Sequence, residues 1–248
     1  CITRSHSKRC QRLGVCCACS LEMHISSVFS KIENDICNPQ LLSKVNFSET
    51  QRTPLKFLDY LLELMHREEQ NEHAGNFRSF VEETFVGRLR YQLTCAACGK
   101  KFSRRVKFRY LSLFIDSGIF DVDESLSHMF SSSSRISDVS LACPACNSTT
   151  SFMCMQLRRP PPILCLHVSR SETLSYARER KFVMFPQFLA LDHLTPATGT
   201  GKKTYQLYAV VVHDKSSKHK YSLYVKNKSN SWVEITCDSS RPVSEKIV

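Results

Sequence analysis

The 248-residue sequence has no apolar run of the ~18 residues needed to cross a bilayer as a helix, which excludes a membrane-spanning helical protein. It has no repeat of 20 to 50 residues, so a solenoid or propeller is not expected. It begins at Cys1 without a charged-then-apolar leader, so it is read as a segment of a longer product rather than a secreted chain. Apolar residues make up 42% of the chain and aromatics 10%, too much for a fully disordered segment. At about 100 to 200 residues per domain, a chain of this length folds as one large domain or two small ones.

What the sequence does have is cysteine. Thirteen cysteines, an odd number with several in C-x-x-C pairs, argue against a secreted disulfide framework. They point to metal ligation in a reducing compartment, so an intracellular setting, cytoplasm or nucleus, is expected. The net charge is +11, but its small clusters (Lys100, Lys101, Arg104 and Arg105; Arg178, Arg180 and Lys181; Lys215, Lys218 and Lys220) lack the interleaved aromatics of a base-stacking platform. They read as solvated surface, which argues against nucleic acid as a partner.

Periodicity divides the chain. Leu21, Ile25, Val28 and Phe29 recur at helical spacing, and Phe57, Tyr60, Leu61, Leu64 and Met65 mark a helix from Pro54 to about Glu69. From Phe85 onward the period falls toward two, with strands expected at Gly87 to Leu93, Arg104 to Ile115, Ile163 to Ser169 and Tyr205 to Val212. Between them, Glu124 to Phe130 reads as a short helix with Asp123 as its N-cap. A helical third followed by a mostly β remainder is an α+β pattern.

Two cysteine constellations carry chemistry. Cys95-x-x-Cys98-Gly99 and Cys143-x-x-Cys146-Asn147 each place two thiolates on a tight turn, and together they complete the four-sulfur tetrahedron that zinc favours. With every coordination position filled by protein, such a zinc is structural. A second candidate site is His6, Cys10, Cys16 and Cys19, where one imidazole and three thiolates could also close a tetrahedron. His167 and His213 fall in apolar strand-like runs and read as satisfied core or edge histidines, and Cys37, Cys154 and Cys165 as small buried hydrophobes.

Five segments in order resemble the catalytic domain of the ubiquitin-specific proteases, the papain-like deubiquitinases. They are His6 to His24; Gln51 to Met65 (QRTPLKFLDYLLELM); Phe85 to Phe114, with the first cysteine pair; Leu141 to Arg170, with the second pair and PPILCLHV; and Tyr205 to Trp232. The resemblance implies a papain-like α+β fold with a helical thumb over residues 1–84, zinc-clipped β fingers over 85–160 and an antiparallel β palm over 161–248. It also implies ubiquitin or a ubiquitinated protein as partner, and isopeptide hydrolysis by a cysteine thiolate, a histidine base and an orienting Asp or Asn.

The triad positions depart from that pattern. No Gly-x-x-x-Cys nucleophile box occurs in these residues, and Cys1 has no surrounding pattern to support it. Lys220 stands where the family's histidine precedes the tyrosine matching Tyr221, and a lysine ammonium is a poor base at neutral pH. Thr236 stands where the orienting acid or amide falls, four residues after Trp232. Displaced candidates are His219 and Asp238, each offset in the chain, and a one-residue offset on a strand turns the side chain to the opposite face. Arg52 and Lys56 replace acids in the helix segment, so weak ubiquitin binding is expected. The expected function is a deubiquitinase-family domain, inactive or impaired, that binds ubiquitin or acts as a scaffold. The alternative is an active enzyme with its nucleophile upstream and His219 as base.

Overall fold

The computed structural model describes residues 10, 16–30, 53–72, 78–115, 121–131, 134–138, 141–170, 183–194, 203–213, 221–237 and 239–244. The chain forms two units, Cys1–Glu82 and Glu83–Val248.

In the first unit the helices α1 (Cys17–Ser30) and α2 (Pro54–Glu72) follow the apolar periodicity. Thr53 caps α2: its carbonyl accepts the Phe57 N–H at 2.9 Å and its hydroxyl the Lys56 N–H at 3.4 Å, while Pro54 suits the first turn. Leu62 and Met65 are the buried positions of α2. Ser79 is wholly buried, and its hydroxyl meets His66 Nδ1 at 2.5 Å and accepts the Glu82 N–H at 3.1 Å, capping α3 (Phe80–Thr84).

The second unit is mostly β. The strands β1 (Gly87–Cys95), β2 (Lys101–Phe108), β3 (Tyr110–Ile115), β4 (Ser134–Ser137), β5 (Thr150–Arg159) and β6 (Cys165–Arg170) are joined by the helix α4 (Val122–Ser131). They are followed by β7 (Phe188–Ala190), β8 (Thr204–Gln206), β9 (Ala209–His213), β10 (Tyr221–Lys226), β11 (Trp232–Ile235) and β12 (Ser240–Val243). One antiparallel sheet has the order β2-β1-β5-β4 and another β12-β11-β10-β9; β3 pairs with β6, and β7 with β8. The β3–β6 pair is parallel, the exception among the described strand pairs.

The core gathers one face of the first sheet (Leu89, Leu157), β3 (Leu111, Leu113), α4 (Val122, Leu126) and the segment around Leu189, Leu191 and Leu194. Leu113 and Leu157 are fully buried. Gly87 lies opposite Phe108 in the β1–β2 ladder, and a Cβ at Gly87 would overlap the Phe108 ring. Glycine is therefore fixed there by the ring that covers it.

Three expectations are corrected. The strand expected over Arg104 to Ile115 is two strands broken at Arg109, because β2 pairs with β1 in one sheet and β3 with β6 in another. The strand expected over Tyr205 to Val212 likewise divides between β8 and β9. The cap of α4 is Asp121, not Asp123: its Oδ1 accepts the N–H of Asp123 at 2.7 Å and of Glu124 at 3.4 Å. Residues ending one strand and beginning the next share the same β-prone composition, so the break is set by partners distant in sequence.

Candidate metal centre and palm site

The two cysteine pairs of the second unit occupy the same local structure twice. In the first, the N–H of Gly99 donates to the Cys95 carbonyl at 3.0 Å and the N–H of Cys95 to the Lys100 carbonyl at 3.0 Å. In the second, Asn147 donates to Cys143 at 2.9 Å and Cys143 to Ser148 at 2.9 Å. Gly99 and Asn147, each directly after its second cysteine, are left-handed at φ 70° and 59°. Glycine and asparagine are the residues that tolerate this region best, so the last residue of each five-residue motif belongs to the turn.

The ladder of β1 and β5 brings the turns together. Cys95 lies opposite Ser151, and the Ala96 N–H donates to the Thr150 carbonyl at 3.0 Å. All four sulfurs lie within 4.8 Å of one another, with Cys95 to Cys146 at 3.5 Å and Cys98 to Cys143 at 3.7 Å. A tetrahedral zinc site with bonds of about 2.3 Å sets its sulfurs about 3.8 Å apart. A disulfide would need about 2.05 Å. The cluster thus fits a metal ion and not a pair of disulfides.

The electrostatics agree. N–H groups of Cys98 and Ala97, led by Cys98, aim at the Cys95 sulfur and hold its pKa down to about 6. The Cys143 thiol is lowered mainly by the Ala145 N–H, whose nitrogen is 3.5 Å from the sulfur. Cys146 is pulled down by the Ser148 N–H, yet its hydrogen bonds to Cys95 and Cys98 outweigh that and push it to about 12. Four adjacent thiols cannot all ionise without a cation between them.

In the first unit Cys10, Cys16 and Cys19 place their sulfurs within 4.8 Å of one another, and all three are buried. Here the C-x-x-C spacing lies at a helix start rather than on a strand turn. Glu68 of α2 accepts the Cys17 N–H at 2.8 Å and the Cys16 S–H at 3.5 Å. Burial is the leading cause that raises Cys16 and lifts Cys17 and Cys19 to about 11. The three thiols form a donor set able to hold a metal ion; His6 lies outside the described residues.

Of the triad positions, His219, Lys220 and Asp238 lie outside the described residues, as do Gln51, Arg52 and Cys37. Tyr221 opens β10 with its ring 4.9 Å from the His213 ring. Trp232 is buried at the start of β11, and Lys226 stands over its ring at 5.2 Å. Thr236 closes the β11–β12 turn on Ser239: its N–H donates to the Ser239 carbonyl at 2.8 Å, and its hydroxyl accepts the Ser239 N–H at 3.1 Å. His167 meets the Ser112 hydroxyl at 3.3 Å and is half-buried, while His213 is exposed. Cys154 and Cys165 are half-buried.

A polar network that the sequence reading did not find crosses this sheet. Tyr224, Glu234 and Arg241 face one another on β10, β11 and β12. Tyr224 donates to Glu234 Oε1 at 2.8 Å, and Arg241 to Oε2 at 2.6 Å. The Arg241 bond, then the Tyr224 bond, hold the Glu234 carboxyl below the usual range. The signal in the sequence was parity: Glu234 is two residues from Trp232 and therefore shares its buried face.

The family model described as ubiquitin carboxyl-terminal hydrolase matches residues 3–248. The mouse ubiquitin carboxyl-terminal hydrolase 17-like protein C is 25% identical over 98% of this chain and 48% of its own length. The rice ubiquitin C-terminal hydrolase 15 is 24% identical over 98% of this chain and 27% of its own length. The chain thus spans about half or less of these relatives. Among solved structures, the Ubp8/Sgf11/Sus1/Sgf73 DUB module of SAGA bound to ubiquitin aldehyde matches with a TM-score of 0.76 at 17% identity, over 98% of this chain and 59% of that one. The Ubp8-Sgf11-Sgf73-Sus1 SAGA DUB module matches at a TM-score of 0.70 and 18% identity, over 94% and 54%. This likeness establishes the fold: a papain-like α+β architecture. No helix among the described residues is long and apolar enough to cross a membrane.

Proposed function

The chain belongs to the ubiquitin carboxyl-terminal hydrolase family, and from that membership we propose a ubiquitin-binding or scaffold domain whose hydrolytic chemistry is absent or impaired. Residues 1–84 form its thumb, 85–160 its fingers and 161–248 its palm. The observation that carries the reading is Thr236. At the place where a relative's orienting Asp or Asn stands, this chain has a hydroxyl engaged with the backbone of Ser239. A hydroxyl carries no charge to stabilise an imidazolium, which is the work of the third triad member. Lys220 in the position of the base supports the same reading, because a fixed cation does not accept a proton at neutral pH.

The fingers' cysteines Cys95, Cys98, Cys143 and Cys146 hold a structural zinc, and His6, Cys10, Cys16 and Cys19 a second one. A zinc with four protein ligands leaves no open position for water, so it supplies rigidity and no Lewis acid. Ubiquitin binds weakly, because Arg52 and Lys56 put positive charge where relatives present acids to ubiquitin's basic tail.

The test is a ubiquitin probe with an electrophilic C-terminus, applied to the full-length protein beside a ubiquitin–fluorophore substrate. No labelling and no turnover are expected, with ubiquitin bound more weakly than about 1 μM by calorimetry. Labelling at one cysteine, with turnover abolished by His219→Ala, would establish the active alternative.

A further inference from the structure

The strands β1, β2 and β5 contain no Asp or Glu. Their register separates two faces. One carries Leu89, Leu93 and Leu157 and is buried. On the other, Lys107 and the half-buried Arg88 form one cross-strand row with Arg159, which a bulge at Arg158 turns away from the face of Leu157, and Arg105 and the half-buried Arg90 fall in the next. Adjacent strands are about 4.8 Å apart and alternate residues about 6.8 Å apart, so these cations share a field about 10 Å by 7 Å.

Like charges placed directly opposite destabilise a sheet. Lysine and arginine often blunt an edge strand against pairing with another chain, and β2 is an edge. That explanation does not reach Arg88 and Arg90, which stand on the interior strand β1. Basic residues that look scattered along the sequence are gathered here by the ladder.

We infer that this face is a docking surface for an acidic, extended polypeptide segment. An extended chain repeats every second residue at the same spacing as β1 itself, so carboxylates at alternate positions meet Arg88 and Arg90 in step. Guanidinium groups engage carboxylates through two parallel hydrogen bonds. Duplex nucleic acid fits less well, because tight duplex binders draw on about 6 to 10 phosphate contacts. Single strands need a run of stacking aromatics, whereas the aromatic that these three strands place on this face is Phe152, opposite Thr94 at the cysteine end.

The test is fluorescence anisotropy of the full chain with a fluorescein-labelled peptide of alternating glutamate and serine, about twelve residues long. The same peptide with lysine for glutamate and a duplex DNA of matched charge serve as comparators. The glutamate peptide is expected to bind best, with affinity falling as salt is added. Arg88→Glu with Arg90→Glu is expected to weaken it at least about tenfold, and the milder Arg88→Gln with Arg90→Gln about threefold. The glutamine pair keeps the result readable should the reversed pair fold poorly. Equal binding of the two peptides, equal or tighter binding of the duplex, or undiminished binding by the glutamine pair overturns the inference.

Discussion

Cys98→Ser tests the proposed zinc clamp of the fingers with little else disturbed. The Cys98 thiol is exposed, unlike Cys95 and Cys143, so an isosteric hydroxyl removes a ligand without opening the core. The clamp ties residues 45 apart in sequence, Cys98 and Cys143. A cross-link closing a loop of that length restricts the unfolded chain by about 4 kcal/mol in the chain-entropy model. Against this stands the β1–β5 ladder, which runs from Arg88 to Cys95 and holds the base of the fingers without metal. The variant is therefore expected to fold with its tip loosened, not to unfold. For a unit of this size about 4 kcal/mol corresponds to a Tm lower by about 8 to 16 °C. Scanning calorimetry and zinc analysis of parent and variant provide the assay, with chelator-treated parent as the third arm. Loss of about one zinc per chain is expected in the variant, with a further chelator effect confined to any second site. Unchanged zinc content, or lost zinc with Tm falling by less than about 2 °C, would refute the reasoning.

Two further outcomes are expected. Glu234→Gln destabilises the domain at neutral pH, and the gap between parent and variant closes on acidification. The Glu234 pKa is depressed in the fold, so its contribution is fully present above the unfolded carboxylate value of about 4.3 and is lost as pH falls through the lower folded value. Tm measured from about pH 7 to pH 2 checks this, and a gap that widens in acid contradicts it. Glu68→Ala removes the carboxylate that accepts the Cys17 N–H at the start of α1. A loss of about 1 kcal/mol is expected, read as faster hydrogen exchange at the first-turn amides of α1.

What the sequence made legible was periodic or covalent in spacing. Pro54 and the Phe57, Tyr60, Leu61, Leu64 and Met65 stripe located α2, and two C-x-x-C motifs located a cluster that the fold does assemble. What it hid depended on pairing between distant strands. The break at Arg109 follows from two strands choosing different partners. The Tyr224–Glu234–Arg241 network needs three strands in register before its charges meet. The cationic field on β1, β2 and β5 was invisible for the same reason, since Arg88 and Arg159 are neighbours only across the ladder. The Asp121 cap of α4 was missed because Asp121 and Asp123 are equally good capping residues, and only the observed N–H directions choose between them.

The parallel pairing of β3 with β6 joins residues 55 apart, Ser112 to His167 among them. At a synthesis rate of about 5 to 20 residues per second, the apolar β3 strand waits roughly 3 to 11 seconds on the ribosome before its partner exists. The β1–β2 hairpin, with its short turn at Cys95–Cys98, can close at once. During that interval Leu111, Leu113 and Ile115, all buried in the finished fold, are without their parallel strand. The nascent chain thus carries an unpaired apolar strand early, and the timing of translation between β3 and β6 sets how long that strand is exposed.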